Sequence, residues 1–590
     1  MATLEQLTQE IAETTALFNK LRDEKSDPAL LDETKKRLGE LKRSQAQMKN
    51  AAAGAGGKEA KKKEKERLLL KTAKGTRDYG PSEMFCREHV ESIVKDCFTT
   101  FGGSQLDTPV FERKDILTDK YGEDSKLIFD LMDQGGEQLS LRYDHTVPLS
   151  RYLAMNYMNI PQSKVWQVGK VYRRDNPVMS KGRMREFSQA DFDISGTWDP
   201  MIPDAEILSL LCTILTRLDV GDFTVKMNNR KILDGIFEVC GVPSEKIRSI
   251  SSAVDKLDKL PWAEVKKEMC EEKGLDPAVA DKIGEYVKLR GGQELLEALQ
   301  TNRTLTSNKR AKEGLDEMSI LFSLLNAYGI VDKISFDLSL ARGLDYYTGL
   351  IYEAVVAASA PPGMDANALA SAESSCAQSS SKPKKKPAKN PKTVDGVVEE
   401  DEEIDESSVG IGSIAAGGRY DNLVSSLLAA QSGEGKKSYV IPCVGVSIGL
   451  DRIFAILYPK WQEKRYRQKA TFAYVMAAGD GLLTERVKLV SELRQAGIKT
   501  DFLAKSKPKL PAQFLAGERD EVPFAIILGQ DELQQGFVTV KEQRWEVVDG
   551  VKSKIKTAED ERGKLVERAK LAEYLKSSQI FQDWNAGVLS

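Results

Sequence analysis

At 590 residues, 41% of them hydrophobic and 30% charged, the chain is past the size at which one core stops growing, so several packed domains are expected. Its charges nearly cancel, to −3, which leaves any contact with nucleic acid to local basic patches and not to bulk charge. Seven cysteines without a C-x-x-C pair and only two histidines, His89 and His145, argue against zinc and against a disulfide framework, and no apolar run of about 18 residues argues for a membrane span.

The opening MATLEQLTQEIAE has neither an apolar leader nor an Arg-rich face, so a cytoplasmic compartment is expected, with an organellar form from another start left open. Residues 1–50 place Leu4, Leu7, Ile11, Leu17 and Leu21, then, after the breaker Ser26-Asp27-Pro28, Leu31, Leu38 and Leu41, at helical spacing. That pattern predicts a helical hairpin. From Ala51 to about residue 70 the runs AAAGAGG and KEAKKKEKER cannot bury a core, and read as a charged, flexible tether.

Residues 71–225 mix one amphipathic helix near Glu83–Phe101 with strand-like runs, SKVWQVGKVYRR and REFSQADFDISG, and predict antiparallel pairing. Residues 226–330 are periodic and charged with little strand signal, and predict a helical insertion. Strand character returns at Ile334–Val356, within a second core segment spanning 331–465. This is interrupted at 359–409 by Ser/Ala/Pro runs, PKKKPAKNPK and EEDEEIDE, which predict a disordered insert. From residue 468 onward FAYVMAA, IKTDFL, FAIILG and FVTVK alternate with helical stretches, the pattern of a separate α/β domain. The fold class is therefore α+β, an antiparallel-sheet core with a helical insertion, an α/β C-terminal domain and an N-terminal helical hairpin.

Four segments carry candidate chemistry. Lys164–Gly196 reads as a long hairpin whose loop spans Asp175–Arg183. On its second strand the two-residue period puts Arg185, Phe187, Gln189, Asp191 and Asp193 on one face and Ala190, Phe192 and Ile194 on the other. The first set, with Arg173 on the partner strand, suits a ligand that has an anionic and a planar part; a solvated sheet face has the same pattern. Next, ARGLDYYTG at Ala341–Gly349 presents Arg342, Tyr346 and Tyr347; adjacent tyrosines on a strand point to opposite faces, which would make at least one of them core. In Ile411–Asp421, Gly412, Gly417 and Gly418 permit close backbone approach. Finally, the strand VGVSIGL runs into an apolar helix with Asp451 and Arg452 at the junction, where a guanidinium and the orphan amides of a helix start can meet phosphate. No G-x-x-x-x-G-K-[ST] loop, strand-linked G-x-G-x-x-G or H-E-x-x-H is present.

Together these segments resemble histidyl-tRNA synthetases, members of the class II aminoacyl-tRNA synthetases, from Lys74 to the C-terminal domain. KGTRDYGP resembles the family's opening segment, and LDTPVFE at Leu106–Glu112 resembles motif 1, which implies that Pro109 lies at a dimer interface. VYRRDNPVMSKGRMREFSQADFDI resembles motif 2, GVSIGLDRIFAIL motif 3, and ARGLDYYTG with AAGGRYDNL the histidine-specific signature. The resemblance implies a homodimer that activates histidine with ATP, Mg2+ accompanying the nucleotide and no zinc, and then loads it onto the 3′ end of tRNA(His), whose anticodon the C-terminal domain binds. By motif position it implies that Arg173 grips the α-phosphate and carboxylate region, Arg183 the outer phosphates and Arg452 the γ-phosphate, with Phe187 stacked on adenine. It implies further that Asp144 and Thr146 of LRYDHT, Gln189 and Asp193 bind histidine's amino end or ring, that Tyr346 and Tyr347 shape the imidazole pocket, and that Arg342 neutralises the pentacovalent phosphate. His145 is read as a backbone contact and His89 as a helix-surface residue.

The N-terminal hairpin resembles the small helical (WHEP-like) modules appended to eukaryotic synthetases, and an ordinary coiled-coil hairpin fits it too. The insert at 359–409 departs from the family's spacing without breaking a motif. A non-catalytic tRNA-sensor paralogue is the competing reading; such relatives lose active-site arginines, whereas Arg173, Arg342 and Arg452 stand in place here. A scaffolding protein would explain only the first 67 residues.

Overall fold

The computed structural model describes residues 4–23, 28–55, 70–118, 120–132, 135–258, 260–341, 346–359, 410–432, 439–463, 469–548, 551–554 and 563–585. Two compact units divide the chain, residues 1–71 and 72–590. In the first, the helices Leu4–Asp23 and Pro28–Ala55 fold back on each other, and Gln45 Nε2 donates to Thr8 Oγ1 at 2.8 Å. The second helix runs to Ala55, past Ala51 where the sequence predicts the tether to begin, because a run of alanines is the strongest local helix former.

The second unit is built on a sheet of nine described strands, in the order Ser104–Gln105, Gln162–Tyr172, Glu186–Gly196, Cys443–Gly449, Ala415–Arg419, Leu350–Val356, Phe223–Asn229, Ile334–Asp337 and Arg290–Gly291. Its centre is antiparallel. The helices Pro81–Thr100, Ile202–Arg217 and Leu450–Glu463 supply Val94, Phe98, Ile207, Leu211 and Ile453 to the core that also buries Ala190, Phe192 and Ile194. One face of the strand Glu186–Gly196 is thus committed to packing, and the other is released for polar side chains.

The strand Phe223–Asn229 extends past residue 226, where the sequence reading begins its helical segment, because its buried Val225 and Met227 pair into the sheet beside Leu350–Val356. Helices follow from Arg230. Arg230–Cys240 crosses Lys309–Tyr328 closely, since a Cβ on Gly235 would stand 2.6 Å from that of Ala311, so only glycine admits the approach. Two residues inside this otherwise helical stretch, Arg290–Gly291, form a strand against Ile334–Asp337.

Towards the C terminus a five-stranded sheet runs Thr500–Phe502, Ala473–Ala477, Phe524–Leu528, Phe537–Glu542, Lys564–Glu567. Its first three strands are parallel and the last two antiparallel. Helices such as Leu483–Gln495 and Leu571–Lys576 contribute Leu489, Leu493 and Leu575 to its own core. No described helix is long and apolar enough to cross a membrane. The predicted insert lies, from residue 360 to residue 409, outside the described residues.

Candidate active site

The polar face of Glu186–Gly196 is open at Gln189 and Asp193 because glycines stand across from them. Gln189 pairs with Gly169 and Gly449, Asp191 with Gln167 and Ser447, and Asp193 with Val165 and Gly445. A Cβ on Gly445 would run into the Asp193 carboxylate, one on Gly418 would meet the Tyr347 ring at 2.8 Å, and one on Gly169 would collide with the buried Arg142 guanidinium. The glycines are there to admit side chains from other elements.

Arg173 follows the strand Gln162–Tyr172, its amide donating to Arg185 O at 2.9 Å. Its guanidinium lies 4.2 Å from the Tyr143 ring centroid and 5.1 Å from that of Phe187. Nε donates to Tyr143 O and a terminal nitrogen to Gln189 Oε1, both at 3.2 Å. Two aromatic faces and two neutral acceptors orient the cation, and among the described residues no carboxylate pairs with it within ion-pair distance. Its charge is held ready for an anion from outside.

Around it stand three buried carboxyls. Asp144 accepts from Tyr121 Oη at 2.8 Å, from the Val147 amide at 3.2 Å and from Tyr346 Oη at 3.4 Å, which caps the helix Thr146–Asn156 at its positive end. Thr146 opens that helix and is itself buried. Asp191 accepts from Ser447 Oγ at 2.6 Å and leaves its other oxygen without a partner among the described residues. Asp193 accepts from Tyr420 Oη at 2.6 Å.

Burial pushes the Asp193 carboxyl up to about 7 against the pull of the Tyr420 hydrogen bond. It also raises Asp144, and raises Asp191 well above the carboxylate range, there with the help of the Asp193 charge. Carboxyls this desolvated, beside one another, are poised to gain a cationic partner. Burial and the nearby Arg142 hold the His145 imidazole down to about 3, so it stays neutral. Among the described residues neither of its nitrogens has a partner in hydrogen-bond geometry, although the Gly169 and Gln189 backbone lies close enough to favour its charged form.

The remaining predicted residues divide in two. Arg183 is held by Asp175 through contacts of 2.9 and 2.6 Å at the hairpin loop. Arg452, in the first turn of Leu450–Glu463, donates to Ser413 O in the glycine-bearing segment. Arg342 lies outside the described residues. Tyr346 and Tyr347 correct the expectation of opposite faces: they sit in the turn before Leu350–Val356 and not on the strand, so their rings meet edge to face with centroids 4.9 Å apart. Both pack in the cluster that also holds Tyr121, Tyr143 and Tyr420.

Sequence reasoning assigned no role to Tyr121, Tyr143 or Tyr420. Tyr420 lies inside the quoted AAGGRYDNL segment and Tyr143 inside LRYDHT, where both could be found; Tyr121 carries no local signal. His89, read as a helix-surface residue, instead packs its ring 5.4 Å from that of Trp461, and burial lowers its pKa.

A family model described as histidyl-tRNA synthetase matches residues 75–363, and one described as anticodon binding domain matches residues 473–577. A protein of Danio rerio named histidine–tRNA ligase is 46% identical over 565 residues, covering 94% of this chain and 100% of that relative. The Saccharomyces cerevisiae protein named as mitochondrial histidine–tRNA ligase is 48% identical over 495 residues, covering 83% and 85%. The crystal structure of histidyl-tRNA synthetase from a Nostoc species superposes with a TM-score of 0.63 at 26% identity, covering 86% of this chain and 99% of that one.

Proposed function

The chain belongs to the histidyl-tRNA synthetase family and is a histidine–tRNA ligase, and we propose that the polar face of Glu186–Gly196 is where it joins histidine to ATP. The observation that carries this assignment is the Arg173 guanidinium, braced by Tyr143, Phe187 and Gln189 and within electrostatic reach of the buried Asp144 and Asp191 carboxyls. A zwitterionic amino acid next to a triphosphate has the complementary charges: ammonium towards Asp144 and Thr146, carboxylate and α-phosphate towards Arg173.

In this reading Gln189 and Thr146 receive the amino end and Asp193 the imidazole N–H, with Tyr346 and Tyr347 walling the ring. A pocket that bonds both ring nitrogens discriminates strongly, since an amino acid without them leaves buried polar groups unpaired. Phe187 stacks on adenine, Arg183 leaves Asp175 for the outer phosphates, and Arg452 meets the γ-phosphate. The histidine carboxylate attacks the α-phosphorus in line and pyrophosphate leaves, a step that asks for positioning and cationic charge more than for acid–base chemistry. Arg342 is assigned the charge developing on the pentacovalent phosphate. The ribose hydroxyl at the tRNA 3′ end then attacks the adenylate carbonyl and AMP departs.

Mg2+ is proposed to accompany ATP, as the family resemblance implies, and no step is assigned to a protein-held ion. Homodimerisation is supported by exposed apolar side chains beside Pro109: Val110, Phe111 at 52% exposure, Leu131 and Met132 at 86%. The cytoplasm is proposed as the working compartment, in line with relatives named cytoplasmic, although relatives named mitochondrial match as well. Histidine-dependent ATP–pyrophosphate exchange, offered all twenty amino acids, tests the proposal. Exchange with histidine alone, lost in Arg173→Ala, is expected; exchange unaffected by that change would place the reaction elsewhere.

A further inference from the structure

Asp451 is buried at the start of the helix Leu450–Glu463, whose Ile453 joins Ala190, Phe192 and Ile194 in the core. Its carboxylate collects groups from three distant segments: the Tyr79 hydroxyl, the Arg87 guanidinium on the helix Pro81–Thr100, and the Ser188 amide, the last at 2.6 Å. Arg87 also donates to Ser188 Oγ at 3.1 Å and stacks over the Tyr79 ring at 4.1 Å. Phe454, one turn further along the helix, closes the other side, with its ring 5.7 Å from Tyr79 and nearly perpendicular to it.

The backbone of Asp451 is engaged as well. Gly182, at φ 67°, packs on the Asp451–Arg452 peptide so tightly that a Cβ there would stand 2.8 Å from the Asp451 carbonyl carbon and 2.9 Å from the Arg452 nitrogen. Three of these positions lie one residue from a side chain assigned to ATP: Gly182 precedes Arg183, Ser188 follows Phe187, and Asp451 itself precedes Arg452. These three side chains come from a loop, a strand and a helix, and nothing local sets the spacing of Arg452 from the other two.

We propose that Asp451, with its charge held by Arg87, is the positioning residue that registers Arg183, Phe187 and Arg452 against one another for ATP. The inference rests on the assignment of those three residues to the nucleotide. Asp451 touches neither substrate; it acts through the peptide links to residues that do. A buried carboxylate with one cationic partner and two neutral donors resists displacement, because moving it strands Arg87 as well. Of the histidine-binding groups only Gln189 adjoins a contact of Asp451, through Ser188, and it is also held by its pairing with Gly169 and Gly449; Asp144 and Asp193 have no such link, so the larger effect falls on ATP.

Full-length Asp451→Asn, Arg87→Leu, Arg87→Lys and Tyr79→Phe would be compared with wild type by ATP–pyrophosphate exchange, varying ATP and histidine separately, together with thermal midpoints. Asp451→Asn and Arg87→Leu are expected to raise the KM for ATP about tenfold or more, the loss of one charge-assisted hydrogen bond, with the histidine KM within about twofold. Arg87→Lys restores part of the loss. Should Asp451→Asn fail to fold, the same KM split in Arg87→Leu and Tyr79→Phe supports the inference, and its absence overturns it. Both KM values moving together, or a lower midpoint with neither KM changed, also overturns it. Arg452→Ala separates the two levels: an unchanged ATP KM there brings down the assignment to ATP itself, whereas a raised one with Asp451→Asn and Arg87→Leu at the wild-type value brings down only the role of Asp451.

Discussion

Tyr420 donates its phenolic proton to Asp193 at 2.6 Å, and this bond opposes the burial that lifts the Asp193 carboxyl to about 7. If the ionised carboxylate binds histidine, the histidine KM climbs as pH falls through about 7. Tyr420→Phe removes the pull, so that limb moves to higher pH by about one unit, the worth of one hydrogen bond. Histidine KM from pH 6 to 9, variant against wild type at each pH, cancels the titration of the substrate's own imidazole; coincident limbs would sink the idea.

The same shift has a stability consequence. Because folded Asp193 holds its proton more tightly than the unfolded chain does, its contribution to the stability of the ligand-free enzyme is lost as pH rises from about 4, the ordinary carboxylate value, to about 7. Added histidine is expected to offset that loss at pH 7 and not at pH 5. Thermal midpoints with and without histidine at the two pH values read this directly.

Arg173 makes two directed hydrogen bonds and lies over two rings, a geometry that a lysine ammonium cannot reproduce. Both Arg173→Ala and Arg173→Lys are expected to slow adenylate formation by about a hundredfold or more in single turnover. Near-normal rates in the lysine variant would show that charge alone suffices.

The Arg183–Asp175 pair is half exposed, its side chains 42% and 29% accessible, so breaking it costs about 1 kcal/mol of stability or less. Asp175 competes with phosphate for the same guanidinium. Asp175→Ala is therefore expected to lower the ATP KM about twofold at constant urea midpoint; a higher ATP KM would mean that Asp175 aims Arg183 instead of restraining it.

Phe192, fully buried and 5.4 Å from the Phe98 ring, faces the core from the same strand whose other side carries Asp191 and Asp193. Phe192→Ala is expected to cost about 3–5 kcal/mol in urea unfolding. On the surface, Phe111→Glu places a charge beside the exposed Val110 and should shift sedimentation of the proposed dimer towards monomer; an unchanged sedimentation coefficient would remove this surface from the proposed contact.

Much of the site was legible because strands report their own faces. REFSQADFDISG separates Phe187, Gln189, Asp191 and Asp193 from Ala190, Phe192 and Ile194 by period alone, and the sheet buries the second set. Local alternation could not place Tyr346 and Tyr347, since it presumes a strand where the chain turns. Nor could it see that Ala51–Ala55 continue a helix, because composition signalled a tether and helix propensity overrode it.

The sequence by itself determined the family and the reaction and nominated the residues proposed to meet substrate, because motif chemistry is written in consecutive residues. Only the tertiary structure decided what those residues feel. Strand order sets Glu186–Gly196 beside Cys443–Gly449, whose own neighbour Ala415–Arg419 ends next to Tyr420; that adjacency delivers the phenol to Asp193 and the depth that lifts its pKa. Asp451 joins Tyr79, Arg87 and Ser188 across hundreds of residues, a relation no local pattern encodes, since burial and long-range contact exist only once the sheet has closed over its helices.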